Sequence, residues 1–121
     1  MKLLIVEDEP HLLSILRKGF AEQNNEVSVA LDGKTALEMI YNYNFDVVVL
    51  DEINYCCGYN WISGQEIADF ILNYKPRWLH LILTGRNAPH EVIEVADTVT
   101  EMTKVKHAYE QGILAEQGIE F

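Results

Sequence analysis

The stretch that decides the fold is Asp46-Val47-Val48-Val49-Leu50-Asp51-Glu52. Its three valines and one leucine form an unbroken apolar run between acidic residues, whereas a strand with one wet face would alternate apolar and polar residues. We therefore predict a strand over 46–50 that is buried on both faces, as in a parallel sheet. A similar apolar run, Lys2–Val6, leads directly into Glu7 and Asp8.

Outward from these two runs, strands alternate with helices along the chain. Further short strands are predicted over 26–31, 78–83 and 98–102. Helix starts are marked by Pro10, by Asp32 as an N-cap and by the capping-box pair Ser63 and Glu66, and a short helix is predicted over 89–96. The segment 54–62 is predicted as a loop. This alternation predicts a single α/β domain over 1–121 with five parallel strands joined by right-handed crossovers.

Composition excludes several classes of function. The chain has 121 residues, with nine Lys+Arg against nineteen Asp+Glu and a net charge of -10, so nucleic acid and anionic membranes are not expected partners. No apolar run approaches the roughly 20 residues that span a bilayer. The two cysteines, Cys56 and Cys57, are adjacent and form no disulfide framework, which favours a reduced, cytoplasmic setting. No specific protein partner is evident.

Functional side chains are expected where the predicted strands end, because ligands of open parallel sheets bind at the carboxyl ends of the strands. Glu7, Asp8, Asp51 and Glu52 stand at such ends, and converging carboxylates of this kind favour a cation. Mg²⁺ takes one or two carboxylates and keeps several waters, so we predict a possible Mg²⁺ pocket there. The alternative is that these acids cap the following helix, an interpretation left open for Asp8 and favoured for Glu9.

Other strand-end residues suit a phosphoryl group or another anion. Thr84 would supply a hydroxyl and Lys106 a positive charge to a bound phosphoryl group. Arg86, just after a predicted strand, is a candidate anion contact that would serve in cofactor binding. No cofactor other than Mg²⁺ is expected.

The first half of the chain matches one known pattern. Its matching stretches are Leu3–Pro10, Ala30–Leu37 and Phe45–Asp51. Together they resemble the receiver domain of two-component response regulators. The resemblance implies that Glu7, Asp8 and Asp51 bind Mg²⁺ and that Asp51 accepts a phosphoryl group. The later part departs from that pattern, since it offers Lys106-His107 where a receiver has a Lys-Pro pair.

The second half matches a different pattern. Its matching stretches are 48–55, 83–89, 96–102, 105–107 and 118–121. In this order they resemble the ATP:corrinoid adenosyltransferases of cobalamin metabolism, which have a P-loop fold. The resemblance implies that Asp51 and Glu52 are the acidic pair that holds Mg²⁺ in nucleotide binding.

The phosphate-binding half of that second pattern is missing. A P-loop requires Gly-x-x-x-x-Gly-Lys-Ser/Thr after the first strand, so that backbone N–H groups cradle the phosphates. This chain has Glu7-Asp8-Glu9-Pro10 there, and Gly33-Lys34-Thr35 lacks the upstream glycine. Intact adenosyltransferase activity is therefore not expected.

Both patterns meet in the strand over 46–51. We hypothesise an engineered chimera with a receiver-like half over 1–48 and an adenosyltransferase-like half over 49–121. The expected fold is a three-layer sandwich with flavodoxin-like strand order 2-1-3-4-5, and a P-loop-like order is the alternative. The leading functional hypothesis is a protein without evolved activity that keeps a vestigial acidic Mg²⁺ pocket. The alternatives are a receiver-type phosphoacceptor at Asp51 and residual binding of ATP or a corrinoid.

Overall fold

A computed structural model describes residues 1–119 of the chain. Ten elements follow one another in order: β1 (Lys2–Val6), α1 (Pro10–Glu22), β2 (Glu26–Ala30), α2 (Gly33–Asn42), β3 (Val47–Leu50), α3 (Ile53–Gly58), α4 (Gly64–Asn73), β4 (His80–Leu83), α5 (His90–Val95) and a 3₁₀ helix (Ala108–Gln111).

Local capping explains where α1 and α2 begin. The Glu9 carboxylate accepts the backbone N–H groups of His11 and Leu12, and Pro10 occupies the first turn of α1. Asp32 caps α2 by accepting the Thr35 N–H. Each cap satisfies backbone donors that a helix start leaves without a partner. The capping interpretation of Glu9 and the predicted N-cap at Asp32 are thereby confirmed.

The sheet is parallel throughout and has the order β2-β1-β3-β4. Strand β1 lies between β2 and β3, and its Leu4 and Ile5 are almost fully buried on opposite faces. One buried cluster under α2 contains Leu4, Ala30, Ala36, Phe45, Val48 and Leu79. This packing confirms the α/β class and the parallel sheet. Both faces of β1 are buried, whereas in β3 only Val48 is buried and the other three residues are half-buried, so the two-sided burial predicted for the strand over 46–50 is only partial.

The predicted fifth strand is wrong. Within residues 1–119 the sheet has four strands, and residues 98–102 form no strand. The physical reason is that Val99 and Met102 would lie on opposite faces of a strand, so the segment has no single apolar face to bury. Val99 and Met102 are accordingly 54% and 96% exposed. Strand β4 therefore remains at the edge of the described sheet.

Two smaller expectations also need correction. The segment predicted as a loop over 54–62 begins with a helix, α3, and β4 starts at His80 rather than at residue 78. The order β2-β1-β3-β4 matches the first four strands of the expected order 2-1-3-4-5. No helix within residues 1–119 is both long and apolar enough to cross a membrane.

Two helical glycines provide a matched test of this packing. Gly19 has open space where a Cβ would stand, whereas a Cβ on Gly64 would lie 2.4 Å from Pro89 Cβ and 2.8 Å from Glu91 Oε2. We expect Gly19→Ala to raise the free energy of unfolding by about 0.5–1 kcal/mol, because alanine favours a helix interior. We expect Gly64→Ala to lower it by about 1–3 kcal/mol, because α4 and α5 must move apart. Urea denaturation followed by circular dichroism measures both, and equal effects of the two substitutions would contradict the close approach of α4 to Pro89.

Candidate functional site

The parallel hydrogen-bond ladder brings three polar side chains to one edge of the sheet. Val6, Leu50 and Leu83 are register partners at the ends of β1, β3 and β4. One step further along, the Glu7 N–H donates to Ala30 O at 3.1 Å, the Asp51 N–H to Val6 O at 3.1 Å and the Thr84 N–H to Leu50 O at 3.2 Å. Glu7, Asp51 and Thr84 therefore form a row across three neighbouring strand ends, as expected for the carboxyl edge of such a sheet.

The carboxyl groups of Glu7 and Asp51 in this row shift each other's pKa. Glu7 is buried and its side chain is hydrogen-bonded to Asp51 and also to Asp8. The hydrogen bond to Asp51 and the burial of the carboxyl raise the pKa of Glu7 to about 7, while the Glu7 and Thr84 hydrogen bonds lower the pKa of Asp51. The proton therefore resides on Glu7 below neutral pH, and Asp51 is the ionised partner.

Thr84 links the carboxyl pair to the following turn. Its hydroxyl donates to Asp51 Oδ1 and accepts the Glu52 N–H at 2.8 Å, so both hydrogen-bonding functions of the hydroxyl are used. Glu52 adopts a left-handed backbone conformation with φ of 56°. The hydroxyl thus orients the Asp51 carboxylate and fixes the first residue after it.

The buried Asn54 holds the segment after β4 in place through two hydrogen bonds. Its sequence context did not mark it as a site residue. It is 5% exposed, its N–H donates to Thr84 O at 3.3 Å and its Nδ2 donates to Gly85 O at 3.1 Å. Gly85 has φ of 121°, and a Cβ there would lie 3.0 Å from Asn54 Cβ. The signal in the sequence was Gly85, two residues after the end of β4, because a glycine near a strand end often marks a close backbone approach.

The remaining predicted site residues are more exposed. Asp8 contacts Glu7 at the edge of the pocket, and the Glu52 side chain is exposed beside it. Arg86 and Lys106 are exposed, and in the part of the chain from 1 to 119 neither makes a hydrogen bond or an ion pair. The structure thus gathers Glu7, Asp8, Asp51 and Thr84, and it does not bring Arg86 or Lys106 to them through a polar contact.

The carboxyl groups of the pocket suit a cation that needs only one or two carboxylate ligands. Within residues 1–119, no group of three or more His, Cys, Asp or Glu side chains is arranged to hold a metal ion. The adjacent carboxyls of Glu7 and Asp51 nevertheless match the one or two carboxylates that Mg²⁺ requires. A cation there would favour the ionised form of Glu7, whose pKa is raised.

Comparison with known proteins places the chain in a family. The sequence profile of the ATP:corrinoid adenosyltransferases BtuR/CobO/CobP matches residues 13–121. The chain belongs to this family. Its similarity extends through the first half as well, because the match begins within α1 and well before β3.

Curated corrinoid adenosyltransferases show the same similarity. One from Sinorhizobium is 46% identical over 86 residues, covering 71% of this chain and 40% of that protein. One from Escherichia coli strain K12 is 33% identical over 120 residues, covering 93% of this chain and 61% of that protein. This family member therefore spans less than two thirds of the length of these relatives.

Two regulatory proteins also match this chain. The transcriptional regulatory protein TcrA of Mycobacterium tuberculosis is 33% identical over 88 residues, covering 73% of this chain and 33% of TcrA. A solved response regulator, TrrA of Thermotoga maritima, matches 77% of this chain and 93% of its own with a TM-score of 0.43 and 20% identity. That structural likeness is too distant to support a functional conclusion.

The raised pKa of Glu7 predicts a specific pH dependence of stability. Between pH 4.5 and 7 the folded state holds a proton on Glu7 that the unfolded state has lost, so the free energy of unfolding should fall as pH rises through this range. Each unit of pKa difference corresponds to 1.36 kcal/mol, so the fall attributable to Glu7 is at most about 3 kcal/mol. Asp51 acts only at lower pH, because its pKa is lowered.

Glu7→Gln should remove this fall, because the carboxamide stays neutral. We expect it to raise the melting temperature at pH 8 by several degrees and to leave it nearly unchanged at pH 4.5. Glu22→Gln, an exposed acid at the end of α1, is the control for lost negative charge. Parallel pH profiles of Glu7→Gln and the unsubstituted chain would show that the two carboxyls do not interact.

Proposed function

We propose that this chain uses the pocket of Glu7, Asp51 and Thr84 as a Mg²⁺-dependent phosphoacceptor site, with Asp51 as the acceptor. The observation that carries the proposal is the hydrogen bond from the Thr84 hydroxyl to Asp51 on the row of strand ends that also holds Glu7. The lowered pKa keeps Asp51 ionised, and an ionised carboxylate is the form that acts as a nucleophile.

The reaction is transfer of a phosphoryl group from a small donor such as acetyl phosphate. A carboxylate oxygen of Asp51 forms a bond to phosphorus, the bond from phosphorus to the donor's oxygen breaks, and acetate leaves with the electron pair. Thr84 keeps the accepting carboxylate oriented, and Glu7 loses its proton when a cation binds. Mg²⁺ held by Glu7 and Asp51, with Asp8 at the rim, would neutralise charge on the transferring group.

We propose that recombination of two sources accounts for the incomplete machinery of the chain. We infer that a receiver-like first half and an adenosyltransferase-like second half are joined within β3, as in an engineered chimera, since natural fusions more often join whole domains through linkers. Such a chain would keep the acidic pocket and the phosphoacceptor chemistry of Asp51 without a partner evolved for it. The free Lys106 and Arg86 fit this view, because neither has acquired a polar contact within residues 1–119.

Mass spectrometry tests the acceptor directly. Incubation with Mg²⁺ and excess acetyl phosphate should add one phosphoryl group to the chain. Asp51→Asn should abolish the addition and Thr84→Ala should slow it at least severalfold, because the carboxylate loses its orienting donor. Asp97→Asn, which neutralises an exposed aspartate outside the pocket, is the matched control. Absence of any addition at pH 8 with saturating Mg²⁺ would reject the proposal.

A second candidate function rests on the family match over residues 13–121. The second half would retain weak binding of ATP or of a corrinoid without adenosyl transfer, since the chain carries no Gly-x-x-x-x-Gly-Lys-Ser/Thr motif. Arg86 would then contact the anionic groups of the bound ligand.

Isothermal calorimetry tests this second candidate. Titration with ATP and with a corrinoid should give saturable heat, and Arg86→Ala should weaken the binding about tenfold, the usual scale for one lost charge-assisted contact. Arg77→Ala removes an exposed arginine that precedes β4 and serves as the control. Absence of heat up to millimolar ligand would count against retained binding.

A further inference from the structure

A cavity outside the acidic pocket lies between the end of α3, the first turn of α4 and Pro89. Its volume is about 340 Å³, and we call it the Trp61 cavity. Trp61, Ile62 and Pro89 form an apolar wall, and Cys57 adds a half-buried thiol. This volume is at the lower end of the range for small-ligand sites, so the cavity suits a small molecule.

Trp61 of the apolar wall is held in place by the backbone of residues 56–61 and not by core packing. The Trp61 N–H donates to Cys56 O at 2.9 Å, and Asn60 adopts a left-handed conformation with φ of 57°. The Trp61 ring stacks on Tyr59 with 5.3 Å between ring centroids and 28° between planes. Trp61 nevertheless stays 77% exposed, so the stack leaves most of the indole open. An open indole face attracts cations through its quadrupole.

Two carboxylates lie at this cavity, one in its lining and one beside the lining residue Gly64. Glu66 lines it, and its Oε2 accepts the Ser63 N–H at 2.8 Å and the Ser63 hydroxyl at 2.7 Å. These hydrogen bonds lower the pKa of Glu66, so it is ionised. Glu91 places Oε2 2.8 Å from where a Gly64 Cβ would stand and makes no hydrogen bond or ion pair in the described chain. The lining contains no Lys or Arg to neutralise this charge.

The negative charge at the cavity also acts on the Cys57 thiol. Burial raises the pKa of its thiol, and Cys56, Glu91 and Glu66 raise it further. The thiol therefore stays neutral and is a poor metal ligand, since metals bind the thiolate.

We propose that the Trp61 cavity binds a small organic cation that carries an ammonium group, with the cation on the indole of Trp61 and beside the carboxylates of Glu66 and Glu91. The apolar wall accommodates the carbon substituents of the cation. The two carboxylates and the indole attract its positive charge. A neutral molecule or an anion would not gain this attraction. This site shares no residue with the acidic pocket and does not depend on phosphoacceptor function.

Choline is the probe, and its neutral carbon isostere 3,3-dimethylbutan-1-ol is the comparison ligand. Trp78→Phe leaves Trp61 as the single tryptophan and so as a local fluorescence reporter. We expect choline to change this fluorescence with saturation in the millimolar range and the isostere to have little effect. Saturation-transfer NMR on the choline methyl protons should show binding to the unsubstituted chain and its loss in Trp61→Ala.

Charge variants locate the site. In the Trp78→Phe background, Glu91→Gln and Glu66→Gln should each weaken choline binding by about three- to tenfold, the scale of one lost partly exposed ionic contact. Glutamine at 66 keeps the capping box, so α4 should remain folded. Glu94→Gln removes the same charge from α5 next to His90 and should change nothing. Equal responses to choline and the isostere, equal effects of Glu91→Gln and Glu94→Gln, or no saturable response would each overturn the proposal.

Discussion

The register of the parallel ladder between β1, β3 and β4 is the constraint on which both the core and the acidic pocket depend. Leu4, Val48 and Leu81 are register partners, and they pack on the same side of the sheet under α2. Side chains alternate along a strand, so Glu7 and Asp51 fall on the other side, with Ile5. A slip of one residue would exchange these sides. Burial of the apolar row therefore holds the carboxyl groups together.

This coupling explains why two carboxyl groups remain close in a chain without a buried cation partner beside them. Hydrophobic packing of Leu4 and Val48 fixes the strand ends, and the electrostatic cost at Glu7 is lowered by retention of a proton. Thr84 then stabilises the ionised Asp51, and Asn54 ties the Thr84 loop to α3. Core packing thus places the carboxyl groups of the pocket, and hydrogen bonds orient them.

Local chemistry made much of this predictable from the sequence. The apolar run Val47–Leu50 predicts a parallel strand because valine favours strands and no polar residue interrupts the run. Asp32 and Ser63 are predictable as helix caps because each contacts a backbone N–H only three residues away. The convergence of Asp51 and Thr84 followed from the general rule for strand ends. What the sequence did not reveal depends on distant partners, as with Asn54, whose burial requires Gly85, 31 residues later. The interval 98–102 forms no strand because Val99 and Met102 would lie on opposite faces of it, which leaves no apolar face to bury.

The edge position of β4 has a consequence for how the molecule behaves among its own copies. In the described sheet, β4 pairs only with β3, and His80 and Ile82 are exposed along it. An open edge of this kind is a template for strands of another chain. The net charge of -10 opposes that encounter by mutual repulsion, so salt or acid that screens or neutralises the carboxylates favours self-association. The negative net charge thus opposes association of copies through the open edge of β4.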